Sequence, residues 1–304
     1  MTVIEVQRLE KRYGDRVAVR DVSFTVERGE IFGIIGRNGA GKTTTVEIVE
    51  GLRKADGGVV RVLGTDPGDP AVRQRLGVQL QESQLPDRIQ VDEAMELFAS
   101  FYERPADTAA LLAQLGLAEH AKQQYKRLSG GQKQRLSIAL SLVGSPEVAV
   151  LDELTTGLDP QARRETWQLI SDIRDRGVTV LLVTHFMDEA ERLCDRIAVI
   201  DAGRTVAVDT PAGLIRRVAS GLTVTFRPSS ELPADALDGV PGVASVEVRG
   251  GEFTVTGSGN LAHEISSALA ARSVVPLNLN IVQADLESAF VALTGSVALT
   301  GKEN

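Results

Sequence analysis

A glycine-rich octapeptide constrains this chain more than any other stretch. Gly36-Arg37-Asn38-Gly39-Ala40-Gly41-Lys42-Thr43 satisfies the pattern G-x-x-x-x-G-K-[ST] at every fixed position. Its flanks agree with it. The continuous apolar run Ile31 to Ile35 reads as a buried strand leading in, and a helix beginning at Lys42 carries Val46, Val49 and Leu52 along one face. A strand, a glycine turn and a helix in that order belong to an α/β fold whose backbone N–H groups turn inward around an anion. Glycine supplies the torsions that such a wrap needs, and the positive end of the helix dipole adds to the attraction for phosphate. On this reading Lys42 bridges the β- and γ-phosphates of a nucleotide, the Thr43 hydroxyl holds Mg²⁺, and Gly36, Arg37, Asn38, Gly39, Ala40, Gly41 and Thr44 complete the cradle.

A phosphate loop needs a second anchor for its cation, and Val148-Ala149-Val150-Leu151-Asp152-Glu153 supplies one. Four apolar residues bury a strand and deliver two carboxylates at its C-terminal end, where open α/β sheets place their ligands. Asp152 is the candidate magnesium ligand. Glu153 is the candidate general base that polarises an attacking water.

The remaining pattern fills in a large α/β domain. Val3 to Val6 and Val22 to Val26 read as strands flanking a turn at Tyr13-Gly14-Asp15. Residues 90–127 are helical in pattern, with Leu111, Leu112 and Leu115 in an apolar stripe and Gly116 as a stop. A further helix runs from Ser129 with Leu136, Ala139, Leu140 and Val143 on one face. Val178 to Val183 is a second buried strand, reached through a helix that Asp159 caps, Pro160 opens and Gly177 closes. A hairpin pairs Arg196 to Ile200 with Arg204 to Val208. Composition shifts near residue 220. From Gly221 onward there are four basic and nine acidic residues, a net of −5, which leaves −3 for the first 220. The order there reads strand (222–227), helix (231–238), strand (243–248), strand (252–257), helix (261–272), strand (277–282), helix (285–293), a βαββαβ pattern with one extra helix that suggests a small ferredoxin-like domain.

Composition bounds the function. A net charge of −8 over 304 residues is poorly matched to a phosphate backbone, so nucleic acid is not the expected partner. The single cysteine, Cys194, excludes an intramolecular disulfide and reads as a small residue on the inner side of a helix. The N-terminus lacks a secretory apolar core, and no stretch approaches the roughly 18–20 consecutive apolar residues of a membrane span. Membrane association is therefore expected through a partner chain.

Leu128-Ser129-Gly130-Gly131-Gln132-Lys133-Gln134-Arg135 narrows the class, because it resembles the LSGGQ signature of ATP-binding cassette (ABC) ATPases. Ser129, Gly130, Gly131 and Gln132 stand at a helix start, which makes a second anion site. The resemblance implies that this site caps the γ-phosphate of ATP held by another subunit. It extends to four more elements. Tyr13 resembles the aromatic residue that stacks on adenine. Gln81, in Val78-Gln79-Leu80-Gln81-Glu82, resembles the glutamine that contacts Mg²⁺ or water and passes the nucleotide state to the membrane partner; Gln79 is the competing candidate, and Gln81 is preferred because it directly follows the apolar strand end. Asp159, in Thr156-Gly157-Leu158-Asp159-Pro160, resembles the D-loop aspartate of the dimer seam, and His185 resembles the switch histidine. The chain departs from the family at Leu154, where a proline usually follows the Walker-B glutamate.

The resemblance implies a RecA-like core with antiparallel β and helical subdomains over residues 1–219, the helical part at about 83–145, followed by a small α+β domain over 220–304. The ending Asp285 to Gly295 is similar to the C-terminal extension of daunorubicin-type drug and antibiotic-resistance exporter ATPases. The implied function is ATP hydrolysis powering an exporter of drugs, antibiotics or lipid-like molecules. The implied assembly is a homodimer bound through ATP and Mg²⁺, attached to separate transmembrane permease subunits at the cytoplasmic face of the membrane. The segment after Gln81, about 83–102, is the expected groove for a coupling helix of that permease. Two alternatives stand beside this: an importer ATPase with a regulatory ligand-binding C-terminal domain, and a non-transport ABC ATPase.

Overall fold

The structure, a computed structural model, describes residues 1–79, 85–218 and 222–295. The chain divides into two compact units, Met1–Pro211 and Ala212–Asn304.

The first unit opens with two long strands, β1 (Thr2–Tyr13) and β2 (Arg16–Glu27), paired antiparallel across the Gly14-Asp15 turn with Tyr13 opposite Arg16. β3 (Ile31–Gly36) is buried along its whole length, and α1 (Lys42–Val49) starts at the predicted lysine. Val46 and Val49 are buried as expected, but Leu52 is 60% exposed. Gly51, at φ 72°, turns the chain out of the helix before Leu52 can join the stripe. β4 (Gly57–Val62), α2 (Pro70–Arg73) and β5 (Leu76–Gln79) follow. Residues 90–127 break into α3 (Val91–Ala99), α4 (Thr108–Gln114) and two short 3₁₀ turns, because Asp107 starts a new cap on Ala110 N and Gly116 ends the turn at φ 66°. α5 (Gly130–Leu142) begins at the predicted place, with Ser129 as its cap, and α3 packs against both α4 and α5.

β6 (Val148–Asp152), α6 (Pro160–Asp175), β7 (Thr179–Thr184), α7 (Met187–Leu193), β8 (Arg196–Asp201) and β9 (Arg204–Asp209) complete the unit. Among the described residues, nine strands form one mixed sheet in the order β4-β1-β2-β9-β8-β3-β7-β6-β5. β8, β3, β7, β6 and β5 run parallel to their neighbours in that order, whereas β4, β1 and β2 are antiparallel. The parallel strands are the continuous apolar runs of the sequence, and β3, β6 and β7 are buried throughout. Register carries the functional consequence. Ile35 pairs with Thr184, and Asp152 pairs with Val183. The ends of β3, β6 and β7 therefore lie abreast, and the residues that follow them emerge along one edge. Cys194 is buried after α7, and a Cβ placed on Gly33 would sit 2.7 Å from its sulfur, so the thiol is a packing group.

α8 (Pro211–Val218) leads into the second unit, which continues with β10 (Leu222–Pro228), β11 (Val243–Arg249), β12 (Glu252–Gly257), α9 (Leu261–Ala271), β13 (Pro276–Gln283) and α10 (Leu286–Leu293). Its four described strands form an antiparallel sheet in the order β11-β12-β10-β13. Val224, Phe226, Phe253 and Val255 of the sheet pack with Leu261, Ile265 and Leu269 of α9. The helix expected over 231–238 does not form; those residues are a run of turns. Pro233 lacks a donor inside so short a segment, and Gly239 at φ 79° ends it. Leu237 nonetheless reaches the core.

Candidate functional site

Torsions that only glycine accepts comfortably set the shape of the loop after β3. Gly41 sits at φ 101°, and a Cβ there would lie 2.7 Å from the carbonyl oxygen of Ala18. α1 consequently starts without a side-chain cap, so its first N–H groups are not occupied by a capping side chain. Gly36 is held just as closely, since a Cβ would stand 2.3 Å from the Ile200 carbonyl oxygen. Lys42 is buried and folds back over the loop, donating to the carbonyls of Gly36 at 2.7 Å and Arg37 at 3.1 Å. Burial holds its ammonium below the usual lysine range, although Glu153 and Asp152 pull the other way. A cavity of 510 Å³ opens here, lined by Tyr13, Arg16, Ala18, Asn38, Gly39, Gly41, Lys42, Thr43, Thr44 and Glu153. Tyr13 is 40% exposed at its rim, with the Arg53 guanidinium 5.5 Å from the ring centre.

Two carboxylates and an imidazole follow the ends of β6 and β7, and of these Glu153 lines the cavity. Asp152 is buried, and its carboxyl is pushed up to about 6 by burial and then by the charge of Glu153, against the pull of Lys42. A buried acid of this kind ionises readily once a cation stands beside it. Glu153 holds a left-handed φ of 49°, an uncommon torsion for a side chain of this size, and its N–H donates to Val183 O at 2.9 Å. Its Oε1 lies 3.2 Å from Nδ1 of His185. His185 follows β7 directly, so adjacent parallel strands bring together residues that are 32 positions apart in sequence.

A second cleft, of 400 Å³, is built around the start of α5. Ser129 and Gln132 form a reciprocal cap: Gln132 N donates to Ser129 Oγ at 3.3 Å, and Ser129 N donates to Gln132 Oε1 at 2.8 Å. The serine hydroxyl keeps its own proton for an incoming acceptor. Gly130, Gly131, His120, Gly157 and Asp159 share this cleft. Asp159 caps α6 by accepting from Gln161 N at 2.9 Å and Ala162 N at 3.0 Å, and these bonds hold its carboxyl below the usual range. Among the described residues, none lines both clefts.

The ABC transporter family profile matches residues 19–156. The Nod factor export ATP-binding protein I of Burkholderia lata is 44% identical over 220 residues, covering 70% of this chain and 72% of that protein. This chain belongs to the ABC transporter ATP-binding family. The linearmycin resistance ATP-binding protein LnrL of Bacillus subtilis is 31% identical over 306 residues and spans 96% of this chain and 98% of its own length. Among solved structures, cbiO1 from Clostridium perfringens superposes with a TM-score of 0.65 at 28% identity, covering 71% of this chain and 91% of that one. The dimeric ABC transporter cassette MJ0796 gives a TM-score of 0.62 at 27% identity, covering 68% and 98%.

The phosphate loop of this ABC cassette, Tyr13 and Glu153 thus line one cavity, His185 stands against Glu153, and Ser129 to Gln132 line another cleft with Asp159. Gln81 lies outside the described residues. Its competitor Gln79 is buried, with its side-chain Oε1 accepting from Asp152 N at 3.0 Å, so it braces the end of the neighbouring strand β6. Arg16 lines the phosphate cavity and His120 bonds Gln132 at 2.9 Å, and sequence reasoning singled out neither. The pairing of Arg16 with Tyr13 across a tight turn is the signal that marks the first. His120 carries no comparable signal, because its place depends on how the 3₁₀ turn packs.

Proposed function

We propose that this ATP-binding subunit of an ABC transporter, in which ATP hydrolysis powers transport, serves an exporter of drug-like, antibiotic or lipid-like molecules, as a homodimer that sandwiches ATP. The carrying observation is that the phosphate cradle and the Ser129 helix start line separate clefts. A nucleotide in the first cleft therefore meets a signature cap only when a second copy supplies it, in an isologous pairing that places two nucleotides at one seam.

Within this reading Lys42 and the N–H groups of the loop bind the β- and γ-phosphates, and Tyr13 flanks the base. Glu153 takes the proton of the attacking water, and His185 orients Glu153 and reads the γ-phosphate. Thr43, Asp152 and Gln81 are the oxygen donors proposed for Mg²⁺. Among the described residues no group of three or more His, Cys, Asp or Glu stands together as a metal cage. That donor set suits Mg²⁺, which keeps waters and substrate phosphates and asks for one or two protein oxygens. When bound, the ion neutralises charge on the phosphates during transfer.

No helix among the described residues is long and apolar enough to cross a membrane. Separate transmembrane subunits are proposed as partners, which puts the chain at the cytoplasmic face. Leu97 and Phe101, exposed at the end of α3, support a docking groove there for a coupling helix. The 1–219 portion is proposed as the motor and 220–304 as an accessory domain that stabilises or regulates the dimer. The export assignment draws on LnrL, whose similarity extends through the second unit.

The test is Glu153→Gln. Turnover of ATP falls by about a thousandfold or more while ATP stays bound in a stable dimer, read by phosphate release and by light scattering. Normal turnover in that variant removes Glu153 from the role of base.

A further inference from the structure

Behind the reaction site, one buried carboxyl joins the two loops that carry Glu153 and His185. Glu189, in the first turn of α7, has no exposed surface. An acid so placed demands polar partners, because an unpaired one is costly. Trp167 of α6 donates its indole N–H to Oε1 at 2.9 Å. Burial holds this carboxyl above the usual glutamate range, and the neighbouring hydroxyls of Thr184 and Thr155, with the indole, pull it back. Thr184 Oγ1 accepts from Phe186 N at 3.0 Å, which leaves its own proton for Glu189. Oε2 of Glu189 and Oγ1 of Thr155 are both fully buried, and among the described residues neither completes a hydrogen bond. A free donor and a free acceptor thus remain beside the segment that runs from Glu153 to Asp159.

The sequence positions give this cluster its meaning. Thr155 lies two residues after Glu153, and Thr184 immediately precedes His185. Trp167 rides on α6, whose N-terminus Asp159 caps at the signature cleft. A second layer runs alongside: the Phe186 ring centre is 4.1 Å from that of His185, and the Arg163 guanidinium of α6 stands 4.4 Å over the same Phe186.

We propose that Glu189 is a positioning residue for ATP hydrolysis, holding the Glu153–Thr155 segment and the Thr184–His185 segment in register through Trp167, Thr155 and Thr184. The Thr155 contact is the adjustable part. It closes or opens as the segment leading to Asp159 moves, so the dimer seam and the Glu153–His185 pair shift together. This rests on the roles given above to Glu153 and His185. A purely structural carboxyl would satisfy the indole and affect stability alone; a positioning one affects turnover at constant nucleotide affinity.

Trp167 is the only tryptophan, so its emission reports on this cluster without a label. The experiment uses the full chain with Mg-ATP and compares Glu189→Leu, Glu189→Gln and Thr155→Val, with Glu153→Gln as control. For Glu189→Leu, kcat falls at least about tenfold while KM for ATP stays within about twofold, and the ATP-induced change in Trp167 emission is lost. Glutamine keeps an acceptor for the indole and offers an N–H to Thr155, so Glu189→Gln recovers kcat to within about threefold of wild type. Thr155→Val leaves the indole bond intact and lowers kcat by roughly threefold to tenfold at unchanged melting temperature. A folded Glu189→Leu with wild-type kcat overturns the proposal. So does Thr155→Val with wild-type kcat and emission response, and this variant decides the matter alone if Glu189→Leu does not fold. If Glu153→Gln still turns over, the reading of the reaction site itself fails. If Glu153→Gln is inert while Glu189→Leu and Thr155→Val are normal, only the positioning role fails.

Discussion

Single residues in this protein are held in states that their sequence neighbours do not announce, and Glu50 is a clear case. It sits buried at the C-terminal end of α1, and burial, followed by the charges of Asp152 and Glu47, pushes its carboxyl up to about 8. A carboxyl raised in the folded state gives its full stabilising contribution below its unfolded value, near 4.5, and loses it as pH rises through about 8. Glu50→Gln removes that dependence. Its unfolding free energy should overtake that of wild type increasingly between pH 5 and pH 9, by on the order of 5 kcal/mol at the alkaline end, with its melting temperature rising above wild type in step. Thermal unfolding of both proteins across that range checks this, and parallel pH profiles count against it. Glu153 is the second case. Its left-handed torsion aims the carboxylate at His185, and that strain is sustained by the ladder bond from its own N–H to Val183.

At the scale of elements, helix starts do most of the functional positioning. α1 begins on a glycine without a side-chain cap, whereas α5 and α6 are capped by Ser129 and Asp159. The difference follows from what each start faces. An uncapped start leaves all its first N–H groups open, whereas the Ser129 cap takes one of them and fixes the direction of the loop while keeping the serine hydroxyl proton free. Ser129→Ala should cost about 1 kcal/mol of stability through the lost cap. It should also lower ATP turnover by tenfold or more while the phosphate loop keeps its ATP affinity in the monomer. Nucleotide titration beside a steady-state assay separates the two effects, and unchanged turnover rejects the role of the second cleft. These starts were legible in the sequence, because Gly41, Ser129 and Asp159-Pro160 are local signals. The helix over 231–238 was misread for the opposite reason: its apolar spacing is real, but Pro233 and the surrounding turns serve to bury Leu237 without a helical ladder.

At the scale of the molecule, the two units have separate cores. Phe226 and Phe253 stack at 5.4 Å inside the second, and Phe24 and Phe32 at 5.3 Å inside the first. Phe226→Ala should destabilise the second unit by roughly 3–5 kcal/mol. The first unit should keep its ATP affinity and its own unfolding transition. Calorimetry with and without ATP reads this as one lowered transition beside one that ATP still raises; a uniform shift of a single transition rejects independent cores.

Local residue patterns are enough to set the form of the loops. The glycine loop, the Asp152-Glu153 pair at a strand end, the serine-glycine helix start and His185 after a buried strand follow from residue types at fixed local spacing, since glycine torsions, caps and apolar runs are decided within a few residues. Tertiary structure alone decided which of them meet. Sheet order sets β6 beside β7, and so puts Glu153 3.2 Å from His185. Burial put Gln79 against Asp152, raised Glu50, and gathered Trp167, Thr155 and Thr184 around Glu189. Those outcomes depend on contacts between distant segments and on the low polarity of the interior, quantities that no local pattern of residues encodes.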